Sequence, residues 1–505
     1  RRMDEKDLND ALALSLELMA QRARGEGPDA QSPAKGLVTS AHELLVYVLG
    51  EGASAAVLGQ WTSQGIGLAA TDSLSSGEGC ATFDVGLAQE QGGPCAILAA
   101  AQAMVVRRLM LAGHVMQPLD LDAQLAADAL ESCLTPGADA AHSCLLSALA
   151  DILWHAASAP DAVQTEGAPP AEQCAVVALP ALPPGGQGST DLHSIFESML
   201  MQSKIGYSWQ ATRALLEARQ HMLASRVGAL CFLCSALLSR RIERFSSERD
   251  DAAPPLIDPQ FGHCCQEVLN LMILGQGVSN LFDGERDLGG GFVLRGVKAR
   301  PAVGLLSELE ALRYLQVGSL YKQPLCPVWV VASQSHFSVL FSLSAAAQRS
   351  SPLEALEERL LRAFTEYDLE GNGFISAEHL PSLVAALPEW HAPPLEQLRS
   401  QLDPEGTSLV VWDAFLQVMR PLHPESAVAV AAQAQQDSEP VPIPLLHYNG
   451  LASAGHAHKR ALRHVTVCAG AARGKPMADA GLAAVMQTRW TDAAVEWNGT
   501  APCIN

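Results

Sequence analysis

The chain has 505 residues, 48% of them hydrophobic and only 17% charged, enough for a sizeable core divided over about two to four domains. Its 33 Lys and Arg stand against 54 Asp and Glu, and a net charge of −21 argues against a nucleic-acid groove or an anionic membrane surface while suiting partners with a basic face. The 12 cysteines, from Cys80 to Cys503, follow no framework spacing, which reads as free thiols in a reducing, intracellular compartment, cytoplasmic or nuclear.

Residues 4–20, "DEKDLNDALALSLELMA", predict one short helix with an acidic start. Residues 22–38 are rich in Gly, Pro and Ala and read as a linker. A single amphipathic helix is expected over 39–58. Further helices are expected at 95–112, 119–132, 141–157, 194–203, 208–222, 225–240 and 263–273. The Ala-, Pro- and Gly-rich stretch 158–192 interrupts them and reads as a flexible surface insertion. Strand character comes later, in "GFVLRGV" (291–297), "PVWVVAS" (327–333) and "HFSVLFSL" (336–343). Only Gln334 and Ser335 separate the last two, which suits an antiparallel pair. Residues 39–345 are therefore assigned to one body, 353–422 to a helical pair, 423–441 to an alanine-rich linker, and 442–505 to a tail that packs on the first body. The longest apolar run, Cys95 to Val106, is too short to span a bilayer. The charged first residues do not read as a signal peptide, so the sequon at Asn498 is taken as chance.

Chemistry concentrates at "QEQGGPCAILAAAQAMVV" (89–106), where glycines and a proline lead into a cysteine at the start of an apolar helix. A helix start offers free N–H groups and the positive end of the dipole. A thiolate there is favoured, so the Cys95 pKa is expected to fall. The same amides can hold the oxyanion formed when the thiolate attacks a carbonyl. A thiol nucleophile also needs a base. His336, opening a strand just after a tight turn, is the first choice among the histidines, and His263 in "FGHCC" is the second. The pair Cys231 and Cys234 in "CFLCSALL" lies on an apolar helix and reads as core packing rather than a redox motif.

"DLEGNGFISAEH" (368–379) has the pattern of a calcium loop, with Asp368, Glu370 and Asn372 as candidate ligands and Gly373 at the turn. Position twelve is His379 instead of a bidentate glutamate, and the loop 403–414 has Ser408 and Ala414 at its two diagnostic places. Calcium is therefore not expected, and the pair reads as a packing module with no metal and no cofactor.

These motifs resemble those of the MINDY deubiquitinases, papain-like cysteine proteases that cleave ubiquitin chains. "QWTSQGI" (60–66), "PLIDPQFGHCCQEVLNLMILGQGVSNLFDGERD" (255–287), "ELEALRYLQVGSLYKQPLCPVWVVASQSHFSVLF" (308–341), "LHYNGL" (446–451) and "QTRW" (487–490) are all similar to the branch carrying EF-hand-like helices. The resemblance implies an α+β papain-like fold with an inserted EF-hand-like pair. It implies Cys95 as nucleophile, His336 as general base and acid, and Gln89 as a donor to the oxyanion. The implied reaction is hydrolysis of isopeptide bonds in polyubiquitin, with lysine-48-linked chains preferred. No third catalytic residue is identified. The N-terminal helix resembles a ubiquitin-interacting motif, with Leu8, Ala11 and Ser15 on one face and Leu12 beside them. Expected partners are ubiquitin and its chains, with no nucleic acid and no membrane. Two rival readings remain at this stage, a catalytically silent ubiquitin-binding adaptor and a calcium-responsive scaffold.

Overall fold

The computed structural model describes residues 40–69, 80–81, 83–90, 92–112, 134–160, 173–180, 191–348, 350–368, 373–438, 442–451, 461–469, 481–499 and 501–502. The N-terminal helix with Leu8, Ala11, Leu12 and Ser15, the 22–38 linker and the helix expected at 119–132 lie outside them. So do the loop residues Glu370 and Asn372.

The expected helix over 39–58 is two helices. The first, α1 (Ala41–Leu49), is capped by the Ser40 side chain and ends at Gly50, whose φ of 75° is costly for any residue with a Cβ. Ser54 then caps α2 (Ala55–Trp61). The alanine-rich run after Pro94 forms α3 (Cys95–Ala112), and it packs against α4 (Ala138–Ser158) and α6 (Gln266–Leu274). Between these lies α5 (Gly228–Arg240), buried on every side. Cys231 and Cys234 sit within it, where burial pushes both thiols up.

Seven described strands make one sheet: β1 (Cys80–Ala81), β2 (Gly304–Ser307), β3 (Val328–Ala332), β4 (Phe337–Phe341), β5 (Pro442–Asn449), β6 (Ala461–Cys468) and β7 (Ala494–Trp497). Their order is β1-β6-β5-β4-β3-β2, with β7 also on β6. All pairs are antiparallel except β2 with β3. The strands alternate between two cores, as a period of two requires. Val328, Val330, Val339, Phe341 and Tyr448 face the layer of α3 to α6. Trp329, Val331, Leu340, Leu445 and Val467 face the tail helix Gly481–Gln487 and Trp490. Trp490 meets Trp329 edge-on at 5.4 Å. Covered on both faces, β3 reads as the continuous apolar run "VWVV".

Two expectations fail on packing. Within 158–192, the described residues 175–180 are core and not part of a surface insertion. Ala175–Val177 is buried and pairs with Lys204–Gly206, and Ser235 and Ser239 of α5 accept from the N–H groups of Ala178 and Val176. Within 423–441, Ser426–Ser438 is a helix and not a linker. It lies on the helix Pro352–Thr365 and buries Ala429 in a separate core. Alanine is the best helix former, and one packed face is enough to order it.

That separate core belongs to residues 352–438. Ser351 and Glu354 close a reciprocal cap on its first helix. That helix opens the first of two helix–strand–helix units, joined by antiparallel pairing of Phe374–Ser376 with Leu409–Val411. No helix among the described residues is long and apolar enough to cross a membrane.

Candidate active site

The end of the sheet at which β3 turns into β4 is where the chemistry gathers. β3 and β4 are joined through Gln334 and Ser335, with Ser333 and His336 closing the turn. Ser333 makes it rigid: its hydroxyl donates to the His336 carbonyl at 2.9 Å and accepts from the His336 N–H at 3.0 Å. The Gln334 N–H adds a bond to the buried Glu308 carboxylate at 3.2 Å. His336 is thus held at a fixed sheet end, with 6% of its surface exposed.

Cys95 is the first residue of α3, and Pro94 stands where the cap would be, its carbonyl taking the Leu98 N–H at 3.1 Å. Gly93 before it has φ 102°, and a Cβ there would lie 3.2 Å from the Trp61 indole nitrogen. Only glycine lets this loop lie so close to the indole, whose N–H donates to the Gly262 carbonyl at 2.9 Å. The thiol is 3.7 Å from the Gly93 carbonyl. The N–H groups of Ala96, Cys95 and Phe337 point at its sulfur. Phe337 follows His336, so the structure brings the thiol at the helix start to the strand start that carries the imidazole. His263, the second choice of base, is exposed on the 258–265 loop.

The expected drop in the Cys95 pKa is overturned. Burial pushes the thiol up to about 11, and the three amides only partly oppose it. The helix start does favour an anion, but the sheet and helices over it remove water, and desolvation wins. Burial likewise pushes the His336 pKa down, with the Asn449 side chain pulling it back up. Burial thus works against charge on both the thiol and the imidazole.

Gln89 is buried on the segment before α3. Its N–H donates to the Gly450 carbonyl at 2.9 Å, in a parallel bridge with Leu451. Three side chains that the sequence did not single out hold the same segment. Gln64 donates to the Ala88 carbonyl at 3.0 Å and accepts from the Glu90 N–H at 2.9 Å, bracketing Gln89. Gln102, inside α3, accepts from the Leu87 N–H at 2.6 Å and donates to the Val85 carbonyl at 3.2 Å. The Tyr448 hydroxyl donates to the Leu87 carbonyl at 2.9 Å. A fourth, Asn449, has its Oδ1 2.8 Å from His336 Nε2. Glutamine in an alanine helix or an asparagine after a strand carries no local signal for such work; "LHYNGL" drew notice only as a resemblance.

The candidate calcium residue Asp368 is buried, and its Oδ2 accepts from the Gly373 N–H at 2.9 Å. Among the described residues no cluster of three or more His, Cys, Asp or Glu could hold a metal ion.

Residues 55–358 match the family described as "Deubiquitinating enzyme MINDY-3/4, conserved domain". The chain is 31% identical over 384 residues to human "Ubiquitin carboxyl-terminal hydrolase MINDY-3", covering 74% of this chain and 80% of that one. It is 28% identical over 458 residues to the Drosophila melanogaster "Ubiquitin carboxyl-terminal hydrolase MINDY-3 homolog", covering 83% and 77%. It is 34% identical over 271 residues to mouse "Probable ubiquitin carboxyl-terminal hydrolase MINDY-4", covering 52% and 33%. No solved structure matches the chain. On the family match and these relatives, the chain belongs to the MINDY-3/4 family of deubiquitinating enzymes.

Proposed function

We propose that this protein is a papain-like thiol isopeptidase that hydrolyses lysine-48-linked polyubiquitin, with Cys95 as nucleophile and His336 as general base and acid. The observation that carries the reading is the meeting of the Cys95 sulfur with the Phe337 N–H, one residue from His336. As substrate displaces water, the imidazole takes the thiol proton and the sulfur attacks the carbonyl of the ubiquitin C-terminal glycine. The carbonyl oxygen becomes an oxyanion, and the helix-start amides with the Gln89 side chain receive it. Collapse breaks the C–N bond, and the imidazolium gives its proton to the departing lysine amine. Water, deprotonated by His336, then attacks the thioester and restores the thiol.

In this reading the 352–438 unit is an EF-hand-like pair kept for packing, and the helix carrying Leu8, Ala11, Leu12 and Ser15 holds a second ubiquitin. A tethered second site favours chains over single ubiquitin by raising effective concentration. The protein acts inside the cell, on ubiquitin conjugates. The test is incubation with lysine-48-linked tetraubiquitin beside chains of other linkages, for wild type and Cys95→Ala. Cleavage of the lysine-48-linked chain by wild type alone is expected. Binding without cleavage would make the protein an adaptor and overturn the enzymatic reading.

A further inference from the structure

We infer that Asn449 is the positioning residue of this site: it fixes the tautomer and direction of the His336 ring, and its neighbours Gly450 and Leu451 hold the Gln89 backbone in register with it. The inference rests on reading Cys95 and His336 as nucleophile and base.

The argument starts from one oxygen. Asn449 Oδ1 accepts from the Leu451 N–H at 3.0 Å, and a backbone N–H only donates, so the atom at that place is the carbonyl oxygen and not the amide nitrogen. That oxygen lies 2.8 Å from His336 Nε2. An oxygen without hydrogen cannot donate, so Nε2 carries the proton. In a neutral imidazole the other nitrogen is then the base. Asn449 therefore leaves Nδ1 free to take the thiol proton. Among the described residues no other side chain hydrogen-bonds this ring, and the ring is nearly buried, so little else selects its tautomer. After proton transfer the same bond becomes charge-assisted and steadies the imidazolium.

The second half of the inference is topological. β5 pairs with β4 up to Tyr448 and Val339, and the same antiparallel register sets Asn449 opposite Ser338, two residues along from His336 and within reach of its ring. The chain then turns, and the Gly450 carbonyl takes the Gln89 N–H at 2.9 Å while Leu451 pairs with Gln89. Three consecutive residues thus reach both the base and the segment of the oxyanion donor. They come from beyond the 352–438 unit, 113 residues after the histidine they orient.

The test compares wild type, Asn449→Ala and Asn449→Asp on lysine-48-linked tetraubiquitin from pH 5 to 9. The aspartate variant keeps an acceptor for the Leu451 N–H, so it separates folding from orientation. Loss of one charge-assisted bond should lower kcat of Asn449→Ala by about 10- to 100-fold with little change in KM. The acid limb of kcat/KM should move to lower pH in Asn449→Ala, which loses support for the imidazolium. It should move to higher pH in Asn449→Asp, which adds a negative charge. A purely structural residue would lower stability without moving that limb in opposite directions. An acid limb at one pH in all three proteins would overturn the inference, as would a kcat for Asn449→Ala within about twofold of wild type. A second readout needs no ubiquitin: the magnetic resonance spectrum of isotope-labelled histidine, with the His336 signal assigned through His336→Gln. Protonated Nε2 in wild type and mixed tautomers in Asn449→Ala are expected. That pattern in a protein that cleaves no chain would overturn the proposed reaction and leave the orienting role standing; an unchanged tautomer in Asn449→Ala would overturn the role.

Discussion

Replacing Gln102 by leucine should loosen the Gln89 segment while leaving the sheet intact. Gln102 is 2% exposed and lies in a run of alanine, isoleucine, methionine and valine within α3. Its amide spends both ends on the backbone before Gln89, at the Leu87 N–H and the Val85 carbonyl. Leucine is similar in size, so the change leaves little cavity and instead strands two buried backbone groups. Each stranded group costs about 1–3 kcal/mol, or roughly 2–6 together, and burying a methyl-ended side chain in place of an amide returns about 1–2. The net is about 1–4 kcal/mol, or about a 5- to 700-fold rise in local opening at about 1.4 kcal/mol per factor of ten.

Hydrogen exchange read by mass spectrometry on peptides covering 83–90 measures that opening. Those peptides should exchange faster in Gln102→Leu, while peptides covering β3 hold their wild-type protection. The segment stays tethered through Gln64, Tyr448 and Gly450, so it should loosen without detaching. Adduct formation between Cys95 and a ubiquitin C-terminal electrophile should slow in parallel. Wild-type exchange over 83–90 in the variant would refute the idea that Gln102 holds this segment. Faster exchange in β3 as well would show a global loss of stability in its place.

Two further outcomes follow from charge. Burial holds the His447 imidazole down to about 3, with His336 and Arg463 adding to it, while the unfolded chain binds a proton near the usual 6.5. Acid therefore favours unfolding: stability should be level above that usual value and fall as pH drops from there towards 3, and thermal melts of His447→Asn should lose much of the slope. The Cys95 thiol, pushed up to about 11 from an ordinary 9.0, should be alkylated by iodoacetamide at a rate that climbs through that interval. A plateau below pH 8, measured on the Cys95 peptide, would mean a preformed thiolate–imidazolium pair and contradict the upward push of burial on the thiol.

What could be read in the chain and what could not divide along a physical line. Cys95 and His336 announce themselves through neighbours in sequence, a Gly-Gly-Pro run before an apolar helix and a two-residue turn between strands. The helix Cys95–Ala112 and the pairing of β3 with β4 follow from the same local periodicities. The Cys95 pKa could not follow from them, because the helix start is local and the burial over it is not. The helix Ser426–Ser438 shows the same limit, since alanine-rich chain serves equally as linker or helix until a partner surface decides.

Gln64, Gln102, Tyr448 and Asn449 lie wholly on the long-range side. Each acts across the fold, Gln102 over 15 residues, Asn449 over 113 and Tyr448 over 361, and all four also grip backbone groups that any residue could present. No pattern of types at their own positions marks such contacts. Their arrangement still has a logic that chain order hides. The helix opened by Cys95, the strand that follows His336 and the strand ending in Asn449 lie far apart in the chain, and one sheet end collects them. The 352–438 unit sits between the second and third of these. A chain ending before β5 would keep Cys95 and His336 yet lose the partner of the ring, the Tyr448 hydroxyl and the Gly450 carbonyl together. The tail is thus part of the body that carries Cys95 and His336, although the whole of the separate module intervenes in sequence.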